Sequence, residues 1–171
     1  MEFLKKSLDG LEPDIHYVTQ GFICRDSNGN VDNLGRGGSD YSAALIGAAI
    51  DAEEVQIWTD IDGMHNNDPR VVERTYPIRM MHFDEAAELA YFGAKILHPS
   101  TIQPCKEKGI PVLLKNTMDP KARGTLIANR EDCEHVYRAV AAKDGSTVVR
   151  IYSTRMLMAY GFLRRVFEVF E

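Results

Sequence analysis

Two short apolar runs, EVQIWTD at 54–60 and IPVLLKN at 110–116, constrain the fold most. Each is too short for a helix and reads as a buried strand. The stretches around them have helical spacing. From Ser39 to Ala52, residues Leu45, Ala48, Ala49 and Ala52 recur at three- and four-residue steps, and their small side chains suit close packing on a sheet. HFDEAAELAYFG at 82–93 predicts a second helix, with Asp84 and Glu85 complementing the dipole in its first turn and Gly93 at its stop. HPSTIQPCKEKG at 98–109 predicts a third, with Pro99 early and Gly109 at the end. Strands alternating with helices imply an α/β fold with a mainly parallel sheet.

Around this centre lie weaker signals. HYVTQGFIC at 16–24 is β-branched and aromatic, Asn28-Gly29 is a hairpin turn, and a short strand is expected at about 31–34. RGTLIAN at 123–129 reads as a short edge strand or hairpin arm. The polar break REDCEH at 130–135 divides the chain into residues 1–130 and 131–171. Beyond it, YRAVAAKDGSTVVRIYS gives two strand-like segments around Asp144-Gly145. TRMLMAYGFLRRVFEVFE then predicts a helix with Met158, Phe162, Val166, Val169 and Phe170 on one face. A β-β-α piece of this size is too small to bury its own core comfortably, so it reads as a second domain cut short.

Composition excludes several classes. The net charge of −5, from 20 basic and 25 acidic residues, argues against a nucleic-acid binder. No apolar run approaches the roughly 18 residues of a membrane span, and MEFLKKSLDG has no secretory h-region. Cys24, Cys105 and Cys133 are odd in number and far apart, which implies reduced thiols in a cytoplasmic setting. His16, His65, His82, His98 and His135 show no metal-ligand spacing, so no metal site is expected.

In open α/β sheets, ligands gather at the carboxyl ends of strands, and three loops are expected there. In GRGGSD at 35–40 the glycines permit close backbone approach, and Arg36 offers a planar fork for a carboxylate or phosphate. Its amides feed a helix N-terminus, which favours anions. Asp40 cannot bind an anion, but it can hold lysines in place or a magnesium ion through water. The alternative for this loop is a tight turn in which Ser39 or Asp40 caps a helix. In WTDIDGMHNNDPR at 58–70, Thr59 and Asp60 follow an apolar strand directly, and Asp68-Pro69-Arg70 is a rigid turn ending in a cation. In FGAKILHP at 92–99, Lys95 is either a snorkelling surface residue or a phosphate ligand. GxxxxGK[ST] and the protein-kinase signatures are absent.

Taken in order, TQGFI, LGRGGSDYSAAL, IWTDIDG, DPR, EAAELAYFGAKILHPSTIQP, IPVLLKNT and GTLI are much more specific. They resemble the aspartate kinases of the amino-acid kinase family, from about Val18 through Ile127. STRMLMAYGFLRRVF resembles the start of the first ACT regulatory domain of such enzymes. The resemblance implies a partial three-layer α/β/α domain of the acetylglutamate kinase type, then a truncated ACT-like β-β-α segment. It implies transfer of the γ-phosphoryl of ATP to the side-chain carboxylate of L-aspartate, with Mg²⁺ carried by the nucleotide. This is the first step toward lysine, threonine and methionine. Arg36 and Ser39 would hold aspartate, while Asp40 would orient phosphoryl-stabilising lysines, Lys95 among them. Thr59, Asp60, His65, Arg70 and Lys95 would contact the nucleotide, although relatives often carry tyrosine where His65 stands. Ala159, Phe162 and Leu163 would lie near an effector pocket, with lysine as the effector.

The Lys-Phe-Gly-Gly-Thr stretch of that family, source of a second phosphate-binding lysine, has no counterpart here. The expectation is therefore a fragment, inactive alone, that self-associates through exposed edges. Two other readings stand beside it: a non-catalytic regulatory module, and a relative acting on glutamate, acetylglutamate or a nucleotide.

Overall fold

A computed structural model of the chain describes residues 2–12, 14–92, 97–130, 138–142, 144–152 and 160–170. Its centre is a four-stranded sheet made of β3 (Val55–Thr59), β4 (Met80–His82), β5 (Val112–Asn116) and β6 (Thr125–Ala128), in the order β3-β5-β6-β4. β3 with β5 and β4 with β6 are parallel, whereas β5 with β6 is antiparallel. The expected hairpin arm at 123–129 is therefore present, but it lies inside the sheet and not at its edge. A separate hairpin pairs β1 (Ile23–Arg25) with β2 (Val31–Asn33) around Asn28-Gly29. The strand expected across 16–24 shrinks to its last residues, because Tyr17 and Val18 are exposed and, among the described residues, no strand pairs with them.

Alternation along each strand selects the packed face. Val55, Ile57, Val112, Leu114, Met81 and Ile127 are buried together with Ala44, Ala48, Phe83, Ala86, Ile102 and Cys105 from the helices. Those helices are α2 (Gly38–Ala49), α3 (Phe83–Phe92) and α4 (Gln103–Lys108), the last preceded by a 3₁₀ turn at Pro99–Ile102. The expected continuous helix over 98–109 is thus broken in two, with Gly109 closing it as the N–H donor to the last turn. Small residues let α2 sit low on the sheet. A Cβ on Gly47 would lie 2.4 Å from Val55 Cγ2, so only hydrogen fits between helix and strand.

The opposite face carries Gln56, Trp58, Leu113, Lys115 and Leu126. Trp58 is 46% exposed there, and among the described residues no helix covers it. The described residues therefore make two of the three layers expected. A short helix, α1 (Glu2–Leu8), packs on α2, with Lys5 and Lys108 both paired to Asp51.

Beyond Arg130 the expected β-β-α segment appears as a turn at Asp144-Gly145 and a helix, α5 (Phe162–Phe167). Residues 138–142 and 144–152 form no strand, and Val148, Val149, Ile151 and Tyr152 stay exposed. Strand propensity needs a pairing strand, and among the described residues none pairs with either segment. Residues 138–140 return to the first unit instead. Arg138 Nη1 lies 3.0 Å from Glu85 Oε2, and the Val140 N–H donates to Asn66 C=O at 2.9 Å. These contacts fall at opposite ends of β4, because Glu85 also accepts the His82 N–H while Asn66 exchanges hydrogen bonds with Tyr76. Gly93, Lys95, Cys133, His135, Met158 and Ala159 lie outside the described residues. No helix among the described residues is long and apolar enough to cross a membrane.

Candidate active site

Chain direction brings the loops to one edge. Gly47, near the end of α2, sits on Val55 at the start of β3, so helix and strand run in opposite senses. The N-terminus of α2 and the C-terminal end of β3 therefore face the same side. β5 is parallel to β3, with Thr59 opposite Asn116, so its end lies there too. This is the edge at which open α/β sheets hold ligands.

The glycine loop is set by backbone geometry. Gly35 and Gly37 have φ of 70° and 72°, in the left-handed region that costs other residues strain. Gly37 occupies the N-cap of α2 and no side chain caps the helix. Ser39 and Asp40 lie inside the first turn, so the capping alternative does not hold for either residue. A Cβ on Gly37 would lie 2.7 Å from Thr101 Cγ2 and 3.2 Å from His98 Cβ. The loop is thus pressed against the turn that precedes α4. Ser42 ties it to the preceding segment, accepting the Phe22 N–H at 3.0 Å and donating to Gly38 C=O at 2.9 Å.

On this loop Arg36 is exposed, and among the described residues nothing pairs with it. Asp40 is half-buried, and burial pushes its carboxyl above the ordinary carboxylate range. A desolvated carboxylate without a cation beside it is costly unless a positive group arrives. His98 Nδ1 is 2.6 Å from Ser100 Oγ, which orients that turn beside the loop.

At the end of β3, Thr59 Oγ1 donates to Asp60 Oδ1 at 3.1 Å, and Thr59 C=O accepts the Thr117 N–H at 2.8 Å. Arg70 is held in a fork by Asp68, with Nη2 to Oδ2 at 2.6 Å and Nε to Oδ1 at 2.9 Å. The same carboxylate accepts the Arg70 N–H, so the turn and the guanidinium are fixed together. His65 is 16% exposed and lies between Asp62 and Thr75. Deeper in the loop, the buried Thr125 hydroxyl accepts the Met64 N–H at 2.8 Å and donates to Ile78 C=O at 2.6 Å.

Of the site residues expected from sequence, Arg36, Ser39, Asp40, Thr59 and Asp60 come to one edge of the sheet. Arg70 and His65 lie on the loop that leaves it. Lys95 and Ala159 fall outside the described residues, while Phe162 and Leu163 open α5, none of whose residues is buried. Lys115, Asn116 and Thr117 were not singled out from sequence, yet they end the strand beside Thr59. Lys115 Nζ donates to Ala122 C=O at 2.5 Å and stands 5.6 Å over the Trp58 ring. Their signal was available, since polar KNT follows an apolar strand just as TD does.

The family model for "Amino acid kinase family" matches residues 2–116. The chain belongs to the amino acid kinase family. It is 45% identical over 152 residues to lysine-sensitive aspartokinase 3 of Escherichia coli, covering 89% of this chain and 34% of that protein. The chain thus spans about a third of the length of this relative. Its fold matches the crystal structure of E. coli aspartokinase III in complex with aspartate and ADP, with a TM-score of 0.67 and 48% identity, over 71% of this chain and 27% of that one. The same enzyme in complex with lysine and aspartate matches over 88% of this chain and 34% of that one, with a TM-score of 0.64 and 43% identity.

Proposed function

We propose that this chain carries the nucleotide-facing part of an aspartate kinase, which moves the γ-phosphoryl of ATP onto the side-chain carboxylate of L-aspartate. The observation that carries this is that the N-terminus of α2, with Arg36 and Asp40, and the end of β3, with Thr59 and Asp60, lie on the same side of the sheet. The similarity to aspartokinases supports it. In this reading residues 1–130 are the kinase part and 131–171 the start of an ACT-like regulatory part.

Phosphoryl transfer asks for in-line placement and charge neutralisation more than for covalent chemistry. A carboxylate acceptor is already ionised at neutral pH and needs no general base. Its oxygen bonds to the γ-phosphorus, the bond to the bridging oxygen breaks, and ADP leaves. Arg36 supplies the fork that grips aspartate, helped by Ser39. Asp40, desolvated and without a described partner, holds a phosphate-facing lysine, the role given to Lys95. Thr59 and Asp60 meet the nucleotide, and Arg70 is presented to its phosphates with Asp68 fixing the angle. Mg²⁺ enters with ATP. In the parent assembly we place a second copy as partner and lysine as effector near Ala159, Phe162 and Leu163, in a cytoplasmic setting.

Calorimetric titration of the chain with ATP and Mg²⁺ tests the nucleotide half, and a flat trace at millimolar nucleotide rejects it. In a polypeptide containing this segment, hydroxylamine trapping of the acyl phosphate tests the acceptor. Hydroxamate should form with aspartate and fall about a hundredfold or more in Arg36→Ala, since a charge-assisted fork is lost. Equal product from glutamate would favour another member of the family.

A further inference from the structure

We propose that His65 is a positioning residue which staples the loop after β3 from inside, and that it does not hydrogen-bond the nucleotide. The inference rests on the nucleotide reading of this edge and deepens it.

Both ring nitrogens are already taken. Nε2 lies 2.6 Å from Asp62 Oδ1, and Nδ1 lies 2.8 Å from Thr75 Oγ1. A carboxylate oxygen only accepts, so Nε2 carries the proton. In the neutral ring Nδ1 is then an acceptor, and the Thr75 hydroxyl donates to it. No nitrogen is left for an adenine, a ribose or a phosphate. The side chain is 16% exposed, so little of the ring faces solvent.

The position of the staple explains its use. Asp62 follows the polar end of β3 closely, and Thr75 lies ten residues beyond His65. The segment between them carries Asp68 and Arg70. Asn66, the next residue, accepts the Tyr76 N–H through Oδ1 at 2.9 Å and donates its own N–H to Tyr76 C=O at 3.0 Å. His65 and Asn66 thus close the same loop at neighbouring rungs, His65 through its ring and Asn66 through its side-chain oxygen and its backbone N–H. Closing it removes conformations in which Arg70 points away from the edge. His65 therefore acts through Asp62, toward Asp60, and through Thr75, toward Arg70.

Two measurements on the full chain test this. Long-range proton–nitrogen NMR should show His65 as a single tautomer protonated at Nε2, unmoved when ATP and Mg²⁺ are added. Thr75→Val, which keeps the shape and loses the donor, should leave the Nε2 tautomer in place, because Asp62 still fixes it, and weaken ATP binding about five- to tenfold; Thr75→Ser, which restores the donor, should return the affinity to within about twofold, and Asp62→Ala, which frees Nε2, should leave the tautomers mixed. His65→Phe should weaken ATP binding at least as much as Thr75→Val. A new hydrogen bond at either ring nitrogen on adding nucleotide overturns the proposal. So does wild-type ATP affinity in Thr75→Val with the loop still folded by amide exchange. If the wild-type chain binds no ATP, the proposed function fails on its own terms. The tautomer then decides: mixed in the wild type refutes the staple, while single in the wild type and mixed in Asp62→Ala supports it.

Discussion

Thr125→Val should destabilise the chain far more than its conservative appearance suggests. Thr125 is fully buried, and its hydroxyl is the meeting point of three segments. It accepts the Met64 N–H at 2.8 Å and donates to Ile78 C=O at 2.6 Å. Valine fits the same space and satisfies neither group. Leaving a buried donor or acceptor unpaired costs about 1–3 kcal/mol. Two such groups cost about 4 kcal/mol, and the extra buried methyl returns roughly 1 kcal/mol, so the net loss is about 3 kcal/mol. For a chain of this size that lowers Tm by about 6–12 °C. Thr125→Ser keeps both hydrogen bonds and loses one methyl, a cost of about 1 kcal/mol. Urea unfolding followed by far-ultraviolet circular dichroism, with matched m-values, gives both numbers. If valine proves no worse than serine, the hydroxyl does not hold the loop and the reasoning fails.

Three further outcomes follow from the same geometry. Gly124→Ala should cost more than about 3 kcal/mol, because φ there is 75° and a Cβ would lie 1.9 Å from Leu114 C=O, a backbone atom that cannot move aside; soluble Gly124→Ala with a wild-type melting curve would count against it. Asp40→Asn should raise thermal stability near neutral pH. The folded state holds the Asp40 proton more tightly than the unfolded chain does, so ionisation costs stability above the ordinary carboxylate pKa. That gain should disappear in acid below that range, and an equal gain at both pH values would refute the assignment. Burial pushes the Cys105 thiol up to about 11, so iodoacetamide should leave it unmodified in the native chain and label it in urea, with peptide mass spectrometry as the readout.

Sequence revealed the elements whose pattern is local. Val55–Thr59 and Val112–Asn116 were visible as apolar runs, and α2 as a small-residue helix beside them. β4 was not visible, because three residues between polar turns show no period. The interior place of β6 was hidden as well, since partner choice is a property of the whole sheet. Residues 138–142 and 144–152 failed in the opposite sense: their β-branched side chains promised strands, but a strand needs hydrogen-bonding neighbours. The placement of Arg36, Thr59 and Asp60 at one end of the sheet was legible because glycine turns and strand ends are marked in the chain. The engagement of His65 by Thr75, and of Met64 by Thr125, joins residues 10 and 61 positions apart, and no local pattern encodes such pairs.

The two margins of the sheet differ in kind. The β4 margin is bracketed by Arg138 and Val140, whereas β3 meets β5 on one side and no strand on the other among the described residues. Glu53, Glu54 and Asp60 flank the open margin, and this surplus of negative charge discourages two copies of β3 from zipping together. A strand with basic ends would meet no such penalty. Growth of the sheet is therefore directional: it can proceed from β3, and the charge there selects what is admitted.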